Sequence, residues 1–351
     1  MQLKQIGLTA LVTFLAGIAA PTSALAAGWH SLELSQTSPS ALELTANQVA
    51  QTQSDELENW FNQGTSFLDE GNYAEALKAY EQVIRIDANN AVAWMGRGFA
   101  LYGLERYQEA IAAFNRSTEL DPNLVGAWVG LGITLDDAGK PEKALTAYDR
   151  AIEIEPDNSD AWFHQGITLG RLERYEEALA AYNNAVRLDP DYERAWFNRG
   201  YILGILENYE ESLASVDRAL ALNPKNENAW YLRGLALEAL ERYEAALTAF
   251  NKVVELNPKD TDGWFKQGNT LLELERYSQA VTSYDRAIAL EAENEAAWYN
   301  RGLALALQEQ YKEAIASFDE VLKINPDNTQ AQETRDKLRE LVRQQSDESI
   351  G

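Results

Sequence analysis

Val125–Asn158 reads VGAWVGLGITLDDAGKPEKALTAYDRAIEIEPDN, and the spacing of its apolar residues decides the fold. Trp128, Leu131, Gly132 and Leu135 stand at i, i+3, i+4 and i+7, one face of an α-helix. Gly139 and Lys140 break that run, and Pro141 suits the first turn of a second helix. Ala144, Leu145, Tyr148, Ala151 and Ile152 give that helix an apolar face of its own. Pro156 stops it, and Asp157, Asn158 or Ser159 can cap whatever helix follows. A two-helix unit of this kind leaves apolar faces open, so only stacking against like units buries them.

The chain supplies the like units. Trp60, Trp94, Trp128, Trp162, Trp196, Trp230, Trp264 and Trp298 recur every 34 residues, and each is followed four residues later by Gly. Seven after the Trp stand Phe67 and then Leu in every copy. A small residue follows (Ala76, Ala110, Ala144, Ala178, Ser212, Ala246, Ala280, Ala314), then an aromatic in all copies but that of Val216. Pro closes six copies, with Ala88 and Ala292 in its place in the others. Gly costs a helix roughly 1 kcal/mol relative to Ala, so its recurrence implies close backbone packing that outweighs the penalty.

This order of Trp, Gly, Leu, Ala, aromatic and Pro at a period of 34 resembles the tetratricopeptide repeat over Leu57–Asn328. The resemblance implies an all-α, right-handed superhelical solenoid of eight helix-turn-helix units, 57–90, 91–124, 125–158, 159–192, 193–226, 227–260, 261–294 and 295–328. It also implies a groove lined mainly by the first helices, working as a non-catalytic scaffold for a protein or peptide.

Beyond Asn328 the period puts Gln332 where Trp belongs and Asp336 where Gly belongs. Leu338, Leu341 and Val342 keep a narrow apolar stripe, so 329–351 reads as a capping helix and tail. At the other end Lys4, the apolar run Ile6–Ala20 and Ala24-Leu25-Ala26 read as a signal peptide over 1–26. The apolar run falls short of the roughly 20 residues of a membrane-spanning helix. Export across the cytoplasmic membrane is the expectation, with an uncleaved anchor as the alternative. Residues 27–54, rich in Ser, Thr, Gln and Ala, read as a flexible linker with a short helix around Leu42–Ala50.

The 351 residues hold no Cys, which excludes disulfides and thiolate metal sites. A formal charge of −25 repels nucleic acid and anionic lipid, favours a basic partner, and keeps an exposed solenoid soluble. No cofactor motif is present, and neither is a Ser-His-Asp pattern, a Gly-rich phosphate loop or a zinc spacing. His164 with Asp136 and Asp137 is the one grouping that could move protons, and it has no nucleophile beside it.

In the repeat family the first, second, fifth, eighth and ninth residues after the Trp tend to face the groove. Aromatic or aliphatic residues fill the first position in every copy, so a lysine-based clamp for a peptide carboxylate is absent. A ladder of Asn at the second position is partial: Asn62, Asn198 and Asn300 match, whereas Gly96, Gly130 and Leu232 do not. His164 and Lys266 hold the same position, and Asn269 the fifth. What remains is an apolar strip, Phe99, Tyr102, Ile133, Ile167, Tyr201 and Leu235, bordered by Asp136, Asp137 and Glu238. Arg97, Arg199, Arg233 and Arg301, three after their Trp, are expected to bridge helices. The reading from another class is a self-associating structural element of the cell envelope, which would need matching apolar ends.

Overall fold

The structure, a computed structural model, describes residues 41–348. The signal-peptide reading and the first part of the linker lie outside the described residues. Seventeen helices and no strand occur among the described residues. They are α1 (Ala41–Asp69), α2 (Tyr73–Ile86), α3 (Ala91–Gly103), α4 (Tyr107–Leu120), α5 (Val125–Asp137), α6 (Pro141–Ile154), α7 (Ser159–Arg171) and α8 (Tyr175–Leu188). They continue as α9 (Glu193–Ile205), α10 (Tyr209–Leu222), α11 (Glu227–Ala239), α12 (Tyr243–Leu256), α13 (Thr261–Glu273), α14 (Tyr277–Leu290), α15 (Glu295–Leu307), α16 (Tyr311–Ile324) and α17 (Thr329–Glu348). The all-α reading holds: eight consecutive helix pairs, then one lone helix.

The chain divides into two compact units, Met1–Pro190 and Asp191–Gly351. Pairs 1 to 4 belong to the first, pairs 5 to 8 and α17 to the second. Within each unit a pair packs on the next, and first helices also touch one another: α1 with α3, α3 with α5, α5 with α7, then α9 with α11 and α13 with α15. The Trp-Gly-aromatic comb explains this packing. Tyr80, Phe114, Tyr148, Phe250, Tyr284 and Phe318 are almost wholly buried, each worth about 1.5–3 kcal/mol by area. Tyr80 lies between two glycines: a Cβ at Gly64 of its own pair would come within 3.0 Å of the ring, and one at Gly96 of the next pair within 2.4 Å. Gly at the second position after Trp is therefore the space that the preceding ring occupies.

The Trp indole N–H donates to the carbonyl six residues earlier, so the Pro that ends a second helix also orients the next Trp: Trp128 to Pro122 at 2.9 Å, Trp162 to Pro156 at 3.0 Å, Trp230 to Pro224 at 2.9 Å. Asn158 is the cap of α7, its Oδ1 accepting from the Ala161 N–H at 2.9 Å, and Asn90, Asn226 and Asn294 cap α3, α11 and α15 in the same way.

The turn within each pair needs one residue with positive φ. Gly71 and Gly139 supply it in two pairs, but Glu105, Glu173, Glu207, Glu241, Glu275 and Glu309 adopt φ between 56° and 62° in the other six. An L side chain there carries about 1–2 kcal/mol of strain.

Residues 41–54, read from sequence as linker with a short helix, continue into α1 without a break. No Gly or Pro stands between Ala41 and Gln63 to end a helix. At the other end α17 behaves as a first helix without its partner. Ala331 is fully buried against the last pair, Asn328 caps it, and Leu338 packs on the Phe318 core.

Candidate partner-binding surface

The fifth, eighth and ninth positions after Trp bring the candidate residues to the face where first helices meet, and the two units treat that face differently. In the first unit it is closed. Phe99 is only 4% exposed, its ring edge-on to Phe114 at 4.9 Å. Ile133 and Tyr102 are buried as well, and Ile167 is half-buried. The Tyr102 hydroxyl donates to Asp137 at 2.6 Å, and burial together with that carboxylate pushes the phenol's pKa well up. Arg171 donates to Asp136 at 2.6 Å and to Asp137 at 3.3 Å, which ties the end of α7 to the end of α5. Burial pushes the Asp136 carboxyl up despite Arg171. His164 is buried, stacked on Tyr148 at 6.4 Å and edge-on to Phe163 at 5.2 Å. It takes the place that Gly96 and Gly130 leave to a ring in earlier pairs, so it packs as part of the core. Asn62 is exposed on α1.

In the second unit the same face is open. Tyr201 is 53% exposed and Ile205, one turn on along α9, 39% exposed. Leu235 on neighbouring α11 is half-buried, and Leu307 on α15 is 56% exposed. The polar candidates bind each other. Glu238 accepts from Lys266 at 3.2 Å and from Thr270 at 2.8 Å. Asn269 Oδ1 accepts from Asn300 at 2.9 Å and from the Tyr284 hydroxyl at 2.9 Å. Asn198 is half-buried. Burial first, and then the carboxylates of Glu273, Glu241 and Glu238, raise the pKa of Tyr243, which places acidic charge at the start of α12. Ile205 and Leu307 were not chosen from sequence, although both stand nine after their Trp. The signal was the position, and the identity of the residue alone did not separate exposed from packed.

Arg97, Arg233 and Arg301 bridge helices as expected, to Glu81 at 3.4 Å, Asp217 at 2.7 Å and Asp285 at 2.6 Å. Arg199 pairs with Glu211 at 3.4 Å and with Ser215. Among the described residues no group of His, Cys, Asp and Glu is arranged to hold a metal ion, and no helix is long and apolar enough to cross a membrane.

Stacked helix pairs built on this comb define a helical-repeat protein, and comparison with known families agrees. The tetratricopeptide repeat model matches residues 61–124, 129–191, 165–203, 206–261 and 265–329. The chain belongs to the tetratricopeptide repeat family. Among solved structures it is similar to YrrB, described as a TPR protein with an unusual peptide-binding site, at 26% identity and a TM-score of 0.51 over 55% of this chain and 99% of that one. It is also similar in fold to PilF of Pseudomonas aeruginosa, at 20% identity and a TM-score of 0.50 over 61% of this chain and 97% of that one. Among curated proteins none matches the chain.

Proposed function

We propose that the chain is a non-catalytic scaffold of eight tetratricopeptide copies, which holds an apolar, basic segment of a partner protein on the first-helix face of its second unit. The observation that carries this reading is the exposure of Tyr201 and Ile205 at i and i+4 on α9, with Leu235 half-buried on the neighbouring α11. Aromatic anchors of this kind dominate interface energetics. Acidic charge at Glu238, Glu241 and Glu273 and the net charge of −25 support a basic partner. The likeness to YrrB, a TPR protein with a peptide-binding site, supports a peptide-binding role. Replacing Tyr201 and Ile205 by Ala tests the reading: binding should be lost with helicity unchanged.

Self-association end to end is the weaker reading, because both ends are polar. Asn59, one before Trp60, is exposed, whereas its counterparts Ala93, Ala127, Ala161, Ala195, Ala229 and Ala297 are fully buried. Asn62 and Ser66 beside it are exposed too, and at the far end α17 exposes Gln332 and Asp336. Export belongs to the same proposal. A leader over 1–26 would release a mature chain beginning at Ala27, and N-terminal sequencing of the envelope form that reads Met1 or Gln2 would reverse it.

A further inference from the structure

Three residues after the Trp, the guanidinium groups of Arg97, Arg199, Arg233 and Arg301 lie over the rings of Trp94, Trp196, Trp230 and Trp298 at 5.5, 5.9, 5.7 and 5.6 Å. Arg97, Arg233 and Arg301 also bond the acid sixteen residues earlier on the preceding second helix. Even α17, which has no Trp, keeps this bridge, from Arg335 to Asp319 at 3.2 Å. Where the arginine is missing the acid is missing as well: Leu131 stands opposite Asn115, and Gln267 pairs as a neutral amide with Asn251 at 2.7 Å.

Pairs 4 and 5 break the correlation in opposite ways: Arg199 stands opposite Asn183, with no acid sixteen residues earlier, whereas pair 4 keeps the acid without the arginine. Gln165 replaces the arginine, yet Asp149 remains sixteen residues earlier and receives only the neutral Gln165 amide, at 2.7 Å. A groove opens at this place between α6, α7 and α8, with Trp162 and Leu145 in its lining and the Asp149 and Glu142 carboxylates on its walls. Arg174, which also lines it, bonds Glu177 at 2.7 and 2.6 Å, and its charge acts on Asp149 and Glu142 through space without a hydrogen bond to either.

We infer that this groove receives an arginine side chain of a partner protein, stacked on Trp162 and bonded to Asp149, where other pairs use an arginine of their own. Arginine fits better than lysine because its plane stacks on indole while its fork meets a carboxylate, as its four counterparts within the chain do. The carboxylates exclude an anion. This site is built from α6, α7 and α8 of the first unit and shares no residue with the Tyr201 and Ile205 surface, so it stands or falls independently of the function proposed above.

The test uses the full chain labelled with 5-fluorotryptophan, with the Trp162 resonance assigned through Trp162→Phe. N-acetylarginine amide should shift that resonance saturably, while N-acetylcitrulline amide, its uncharged isostere, should not. Resonances of Trp94, Trp230 and Trp298, whose faces are occupied, should stay in place. Asp149→Asn should weaken the arginine effect at least fivefold, and Gln165→Arg, which fills the site from within, should abolish it. An unmoved Trp162, an equal response to citrulline, a general shift of all tryptophans, or a response that survives Gln165→Arg would overturn the inference.

Discussion

Arg171 at the end of α7 reaches back to Asp136 at the end of α5, 2.6 Å away, and so closes the first-helix face of the first unit with an ion pair. The Asp136 side chain is only 8% exposed, and a carboxylate at a helix C-terminus meets the unfavourable end of the dipole. Losing Arg171 therefore leaves a charge with little water to replace its partner. Arg171→Ala is expected to cost about 1–3 kcal/mol. Chemical denaturation of the double variant with Asp136→Asn should show most of that cost recovered.

The same carboxyl gives a pH dependence. Its folded pKa is raised by burial, so over the window between the unfolded and folded values the folded state holds the extra proton. Stability from this group is full below the unfolded value and is lost as pH rises through the folded one. Asp136→Asn should therefore gain on wild type as pH rises from the ordinary carboxylate range towards neutrality. Urea melts across that range check the sign, and a gap that narrows with rising pH would refute it.

Two glycines should respond in opposite directions to Ala. Gly96→Ala drives a methyl to 2.4 Å from the Tyr80 ring, so it should destabilise by about 1–3 kcal/mol. At Gly204 the nearest atoms are 3.6 Å and 3.8 Å away, in ordinary contact. Gly204→Ala should stabilise by about 0.5–1 kcal/mol through helix propensity. Paired denaturation curves decide both.

The turn glutamates offer a backbone test. Glu207 sits at φ 60° while Gly139 holds the equivalent place at φ 74° with nothing within 4 Å of an added Cβ. Glu207→Gly should stabilise by about 1 kcal/mol and Gly139→Ala should cost about the same, both through backbone conformation alone. Thermal shifts of equal sign for the two variants would contradict this.

Much of the architecture was legible because one comb fixed it. Trp128, Gly132, Tyr148 and Pro156 mark helix faces and ends by spacing, and Asn328 with Leu338 marks the lone last helix in the same register. The candidate surface was less legible. Position after the Trp says which face of a first helix a residue takes, but closure depends on what the neighbouring pair sends into that face. Phe99 meets Phe114 and Tyr102 finds Asp137, whereas Tyr201 remains open. His164 stood out as a possible proton carrier, and its stacking on Tyr148 is a contact between pairs that no single copy reveals. The positive φ of the six turn glutamates was hidden because Glu carries no signal for that conformation.

The most direct measurement of the proposed partner binding at the second unit is site-specific photo-crosslinking in an extract of the native cells. A photoreactive residue is placed at Tyr201 or, as control, at Glu119 on α4, exposed on a second helix of the first unit. Position 201 should yield discrete protein adducts that unlabelled wild type competes away and Tyr201→Ala/Ile205→Ala does not, while position 119 yields none of these. Adducts at 119 with none at 201, or equal competition by the double variant, would contradict the assignment of partner binding to the α9 and α11 face.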